Sequence, residues 1–263
     1  MDLTALQYFL SAAAGSLVGF SLGLVGGGGS VLAVPLMVYL VGVDDPHVAI
    51  GTSALAVAAN AAANLANHAR SGNVKWQCAS LFAAVGVGGA LLGSTLGKAV
   101  DGQKLLALFA LLMILVAGLM LRRRSSLGDR AVRLSRDNAL KLTTYGFATG
   151  LLSGFFGIGG GFLVVPSLIA ATGMPILFAV GSSLVAVTAF GVTTAFNYAY
   201  SGWVNWTLAA TFIGGGVVGG WFGARLAAQL STRRGALNIV LAALILLVGG
   251  YTLYRSLRAL APV

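Results

Sequence analysis

Hydrophobic positions along this chain run in stretches of bilayer length, separated by brief polar interruptions. Apolar segments fall at about residues 6–41, 48–69, 76–97 and 104–121, and again at about 142–172, 176–200, 206–226 and 236–254. The shorter segments match what a helix needs to cross a hydrocarbon core of about 30 Å. No period-two alternation runs through them, which argues against a transmembrane β-barrel. The pattern predicts an all-α integral membrane protein. The first segment is too long to be one span: residues 6–41 would measure about 54 Å as a straight helix. It must break, and so must its counterpart. Glycine runs mark where: Gly26-Gly27-Gly28-Gly29 in the first, Gly157-Ile158-Gly159-Gly160-Gly161 in the second. Each is followed by an apolar run holding a proline, Pro35 and Pro166. At membrane depth such a break is tolerated where its backbone faces a cavity instead of lipid.

The two halves read as copies. Gly19, Gly23, Gly26 and Pro35 map onto Gly150, Gly154, Gly157 and Pro166 at a shift of 131 (166 − 35). From Gly51 and Ser53 onward the shift is 130 (181 − 51), giving Gly181 and Ser183, then Asn197 for Asn67 and Trp206 for Trp76. The chain thus divides into a first transmembrane repeat, 1–121, a basic cytoplasmic linker, 122–141, and a second repeat, 142–263. Each repeat holds four to five membrane segments, with a binding site expected at the repeat interface. If both pieces of the broken segment cross, each half has five crossings and the repeats are inverted. A re-entrant second piece would change the parity. Charge favours inversion: with the linker inside, Arg225, Arg233 and Arg234 fall inside too, and the Asp44-Asp45 turn falls outside. Arg255 and Arg258 count against it. Small residues recur every fourth position at Gly89, Gly93 and Gly97 and at Gly215, Gly219 and Gly223. These rows read as close helix packing within one subunit, with a homodimer face as the lesser alternative.

Composition changes this picture in one respect. The chain carries a net charge of +10, a value that could suggest nucleic acid. The charge is concentrated in the linker, at Arg122, Arg123, Arg124, Arg130, Arg133, Arg136 and Lys141. That is the signature of a cytoplasmic loop in a multi-pass protein of the inner (plasma) membrane, and nucleic-acid binding is not expected. Met1-Asp2-Leu3 lacks the basic start of a cleaved signal peptide, so the first span is expected to be retained. Cys78 is the only cysteine and no internal disulfide can form.

Acid is missing where a cation site would need it. There is no glutamate, and Asp2, Asp44, Asp45, Asp101, Asp129 and Asp137 all fall at segment ends or in loops. A carboxylate-based Na⁺ or H⁺ site is not visible. Metal ligands, a cofactor motif and a catalytic triad are also missing from the sequence, so neither an enzyme nor a cofactor is expected. No Gly-Lys-Ser/Thr follows either glycine run, which removes a nucleotide-binding loop. An internal site must then use neutral dipoles. Helices restarting near Ser30 and Phe162 would offer N–H groups and a positive dipole end to a small anion. The residues expected there are Gly27, Gly28, Gly29, Ser30, Gly159, Gly160 and Gly161. The following helix adds Ser53, Asn60, Asn64 and Asn67 on one face, and its copy offers Ser182, Ser183, Thr188, Thr194 and Asn197, of which Ser183, Thr194 and Asn197 are placed near the substrate. Phe190 replaces Asn60 and Thr194 replaces Asn64, so the two half-sites are unequal. His68, four residues after Asn64, could carry a coupling proton or sit at the interface beside Arg70. His47 reads as solvated. Trp76, Trp203 and Trp206 read as interfacial anchors, and Trp221 as packing.

These motifs carry a resemblance. Gly23-Leu24-Val25-Gly26-Gly27-Gly28-Gly29-Ser30 and Gly154-Phe155-Phe156-Gly157-Ile158-Gly159-Gly160-Gly161, each leading to Val-Pro, resemble the sulfite exporter TauE/SafE family. So do Gly51-Thr52-Ser53 with Gly181-Ser182-Ser183, and Ser71-Gly72…Trp76 with Ser201-Gly202…Trp206. The resemblance implies a permease that exports small sulfur-containing anions such as sulfite or sulfonates. An anion channel using the same site, or a non-transporting membrane subunit, are the alternatives.

Overall fold

The computed structural model describes residues 4–122, 134–229 and 234–260. Most of the basic linker, including Arg123, Arg124, Arg130 and Arg133, lies outside the described residues, as does Arg233. Among the described residues there is no strand.

Helix α1 (Ala5–Val25) starts at a capping box in which Thr4 and Gln7 satisfy each other's backbone amides. It ends at Gly26, whose φ of +72° only glycine adopts cheaply. The chain then winds through a 3-10 segment (Gly26–Leu32), one α turn, α2 (Ala33–Pro35), and a π segment (Leu36–Leu40). Helices α3 (Pro46–Arg70), α4 (Trp76–Lys98) and α5 (Gly102–Arg122) complete the first half. The second half has α6 (Arg136–Phe156), α7 (Gly161–Thr172), α8 (Ile176–Tyr200), α9 (Trp206–Gln229) and α10 (Arg234–Leu260). Five of these, α1, α3, α4, α8 and α9, are long and apolar enough to cross a membrane. Helix α6 begins at Arg136, inside the stretch assigned to the polar linker. Ser135 and Asn138 form a capping box that nucleates it ahead of the apolar run.

Both long first segments break, and each second piece folds back on the first. Gly29 packs against Ser21 and Leu22, and Gly160 against Ser153. Further down the second hairpin the Thr149 and Ser167 hydroxyls lie 3.1 Å apart.

The glycine rows do the packing expected of them. Gly15, Gly19 and Gly23 of α1 lie against the backbone of Phe212, Gly216 and Gly220 of α9. The α9 row returns the contact, Gly215, Gly219 and Gly223 meeting the carbonyls of Ala12, Ser16 and Phe20. Helices α4 and α6 repeat the scheme: Gly89, Gly93 and Gly97 meet Phe147, Leu151 and Phe155, while Gly150 and Gly154 meet Gly86 and Ala90. A Cβ at Gly93 would come within 2.0 Å of a carbonyl oxygen, so the backbones are as close as Cα–H···O contacts allow. All of these contacts are within the chain.

Between the two glycine-locked pairs lie α3 and α8, packed on each other. They are the most buried of the candidate spans, at 67% and 50% of their windows, so they form the centre of the molecule. Helices α5 and α10 pack together. Large apolar side chains at Leu91, Leu92, Leu96, Val217, Val218 and Phe222 stay exposed on α4 and α9, where lipid would cover them.

Candidate anion site

The two breaks meet at the central helix pair. Helix α7 packs against the Gly26–Leu32 segment. Gly26 lies against Val180 of α8, and Gly157 against Ile50 of α3. Gly159 sits between the middles of both central helices: a Cβ there would lie 3.1 Å from Val57 and 3.3 Å from Val187.

The breaks are built differently. In the second, Gly157, Gly159 and Gly160 all have left-handed φ values, +69°, +65° and +68°. The Gly157 and Ile158 amides close the end of α6 onto Ser153 and Gly154 carbonyls, and α7 restarts from Gly160. The amides of Gly161 and Phe162 therefore open a helix without an intrahelical acceptor. In the first, Gly27, Gly28, Gly29 and Ser30 lie inside the 3-10 segment, which opens at Gly26 with its positive φ. The expected restart near Ser30 is thus a wound segment rather than an open helix start. The second run has its αL residues spread over four positions, which 3-10 winding cannot accommodate.

Of the polar stripe on α3, Asn60 and Asn64 are buried and Asn67 is exposed at the helix end. Asn60 faces Gly216 of α9, and Asn64 lies beside Gly23 and Gly220. Asn64 Nδ2 donates to the Asn60 carbonyl at 2.9 Å. The Asn60 carboxamide itself has no hydrogen-bond partner among the described residues, at either Nδ2 or Oδ1. Ser53 and Ser183 are fully buried but spend their hydroxyl protons on the Ile50 and Val180 carbonyls of their own helices. Thr194 is fully buried, and its Oγ1 has no partner among the described residues. Asn197 stands apart. It donates to Ser94 Oγ at 2.6 Å, and its Oδ1 accepts from Lys98 Nζ at 2.7 Å, tying α8 to α4.

Several residues take roles the sequence did not assign them. Thr52 and Ser182, the middle members of Gly51-Thr52-Ser53 and Gly181-Ser182-Ser183, are connectors. Thr52 Oγ1 accepts the Asn205 amide and Ser182 Oγ the Lys75 amide, both at 2.9 Å. Gly51 and Gly181 admit the carbonyls of Trp203 and Asn73 beside them. Tyr198 and Ser153 are fully buried with hydroxyls lacking a partner among the described residues. The signal for Ser153 was its place as a hydroxyl in the last turn before a glycine break. His47 is not a solvated loop residue: it lies in the first turn of α3, its ring stacked on Trp203 at 4.7 Å. Trp221 is not internal packing. It is 47% exposed, with the Arg225 guanidinium 3.5 Å over its ring. Glycines on α9's other face take the packing role a tryptophan cannot.

Buried side-chain atoms without partners among the described residues occur on seven residues, and five of these, His47, Asn60, His68, Thr194 and Tyr198, are on α3 or α8. They run from the start of α3 to its end. Buried polar groups are nearly always satisfied, so these unsatisfied ones are the groups open to a hydrogen-bonding guest. The donors are neutral, or histidine. Among the described residues no three His, Cys, Asp or Glu side chains gather in one place.

Comparison with known proteins points to membrane transporters. A protein from Xylella fastidiosa (strain Temecula1), named "Probable membrane transporter protein", is 49% identical over 263 residues, covering 98% of this chain and 99% of its own. YunE of Bacillus subtilis (strain 168), similarly named, is 27% identical over 257 residues, 89% of this chain and 93% of its own. A Haemophilus influenzae protein of the same description is 32% identical over 198 residues, 73% of each chain. No solved structure matches. The model of the sulfite exporter TauE/SafE family matches residues 11–252. With that match over most of its length and five helices of spanning length, the chain is a multi-pass membrane protein and belongs to the sulfite exporter TauE/SafE family.

Proposed function

We propose that the protein is a secondary transporter in the inner membrane that exports small sulfur-containing anions such as sulfite or sulfonates. Two inverted repeats would give access alternately to a neutral, dipole-lined site between α3 and α8. The observation that carries this reading is the set of unpartnered buried polar groups on those two helices. Groups that glue helices together would be hydrogen-bonded to each other, and these atoms make no such bond among the described residues. The sequence supplies no carboxylate at this depth, so a cation is the poorer guest.

Helix directions support inversion. Matched contacts run 15/212, 19/216 and 23/220 between α1 and α9, and 60/216 and 64/220 between α3 and α9, so all three are parallel. Contacts 89/147, 93/151 and 97/155 make α4 parallel to α6. Contacts of Gly51 with Tyr198 and of Gly191 with Ala54 and Ala58 make α3 antiparallel to α8. Helices one repeat offset apart, α3 and α8, thus point in opposite directions. The local contacts also pair up: Gly26 on Val180 answers Gly157 on Ile50, and Thr52 to Asn205 answers Ser182 to Lys75.

An inside-negative potential drives an anion outward at roughly 2.3 kcal/mol per charge per 100 mV, which suffices for export without a coupling ion. Reconstitution tests the reading. In proteoliposomes, labelled sulfite, sulfoacetate and sulfate are offered against unlabelled anion inside. Counterflow of one of them that is abolished by Asn64→Leu or Gly159→Leu supports a carrier. Sustained single-channel current would identify a pore, and absence of flux for all three would sink the anion assignment.

A further inference from the structure

Ser153 lies in the last turn of α6, fully buried, and its hydroxyl has no partner among the described residues. It points at the start of α7: a Cβ on Gly160 would lie 2.7 Å from Ser153 Oγ. Helix α7 is 12 residues long, and Gly160 provides no side-chain cap. The Leu163 and Val164 amides turn back to the Gly160 carbonyl. Those of Gly161 and Phe162 have no acceptor in their helix, and they sit at its positive end. A capping hydroxyl would accept from these amides, yet Ser153 makes no such bond. The hydroxyl and the two amides are left as donors at the same helix start.

The first half lacks this arrangement. The position equivalent to Ser153 is Leu22 (153 − 131), and the first break is wound as 3-10 helix. Ser21 next to it spends its hydroxyl on the Leu17 carbonyl at 2.9 Å. A guest with several acceptor oxygens would therefore be gripped from the second half.

We propose that Ser153 is a substrate contact, its hydroxyl donating to one oxygen of a small oxyanion whose other oxygens accept from the Gly161 and Phe162 amides. The inference rests on the anion reading above and assigns the headgroup end of the site. Three donors and no cation hold the charge by hydrogen bonds alone, so release needs no ion pair to break.

Transport kinetics test it, with sulfite, sulfoacetate and sulfate as probes in proteoliposomes. Ser153→Ala should raise KM for the transported anion on the order of 10-fold while leaving the maximal rate nearly unchanged, the loss expected for one hydrogen bond to a charged group. Ser153→Thr, which keeps the hydroxyl, should restore KM. Should the alanine variant not fold, Ser153→Cys keeps the volume with a weak donor and should raise KM likewise. Unchanged KM in Ser153→Ala or Ser153→Cys overturns the contact, as does loss of maximal rate alone in the alanine and threonine variants together. Asn60→Leu separates the two levels. If it stops flux while Ser153→Ala keeps wild-type KM, only the contact fails. If the wild-type protein moves none of the three anions, the underlying reading fails with it.

Discussion

The carboxamide of Asn60 is pressed against the backbone of Gly216: a Cβ built on that glycine would stand 2.0 Å from Asn60 Nδ2. The glycine leaves just the space the amide fills, and the amide has no hydrogen-bond partner there among the described residues. Gly216→Ala must therefore push Asn60 off its position. We expect lost transport and a stability cost of about 1–3 kcal/mol, typical of overpacking. Asn60→Ala should relieve most of that stability cost in the double variant, because the two residues touch. A double-mutant cycle on thermal unfolding measures the coupling. Strict additivity would contradict the contact.

Asn60 also separates function from stability. An unpartnered buried amide costs about 1–3 kcal/mol, whereas an apolar residue of similar size does not. Asn60→Leu should unfold at the same or a higher temperature in detergent while transporting nothing. A large fall in melting temperature would mean that Asn60 is structural. Phe190 holds the equivalent place in the second half, fully buried and stacked with Phe82, which shows that the position accepts an apolar side chain.

The glycines divide into tight and open classes. Gly93→Ala would put a Cβ 2.0 Å from the Leu151 carbonyl, and Gly219→Ala would put one 1.9 Å from that of Ser16. Neither helix can yield without parting from its neighbour, so each should lower stability by about 1–3 kcal/mol. Gly88 and Gly214 sit on the same helices with nothing within 4 Å. Alanine there should be neutral or stabilise by up to about 1 kcal/mol through helix propensity. Melting temperatures of the four variants check this; equal effects would mean that the glycine rows are not the packing surface.

Much of this architecture was legible in the sequence because membrane helices announce themselves by length, and because a glycine row every fourth residue has few other uses. The breaks were legible too, as was the placing of polar Asn60, Asn64 and Thr194 on the helices after them. What the sequence hid were the partners. Asn67 and Asn197 share a helix-face pattern with the buried stripe, yet both lie in the last turns of their helices, where Asn67 ends exposed and Asn197 meets Lys98 at the end of α4. Gly51-Thr52-Ser53 carried the family resemblance and placed Ser53 in the site, but its hydroxyl at Thr52 holds a loop contributed by the other half. The difference between the two glycine breaks also escaped, since one composition can wind as 3-10 helix or open into left-handed turns.

Thr52 and Ser182 give the last prediction. Each hydroxyl accepts the amide that opens the neighbouring helix, Asn205 before α9 and Lys75 before α4, at the same 2.9 Å. Removing either leaves a part-buried N–H without its acceptor, at about 1–2 kcal/mol. Thr52→Val preserves shape at the first, and Ser182→Ala removes only the oxygen at the second. The two bonds lie at opposite ends of the α3 and α8 pair, since Thr52 is near the start of α3 and Ser182 near the start of the antiparallel α8. Their costs should therefore add in the double variant to within about 0.5 kcal/mol. Transport should suffer little in either single variant, because both bonds fix loops and not the guest. A single variant that abolishes flux while melting normally would place that hydroxyl in the pathway instead.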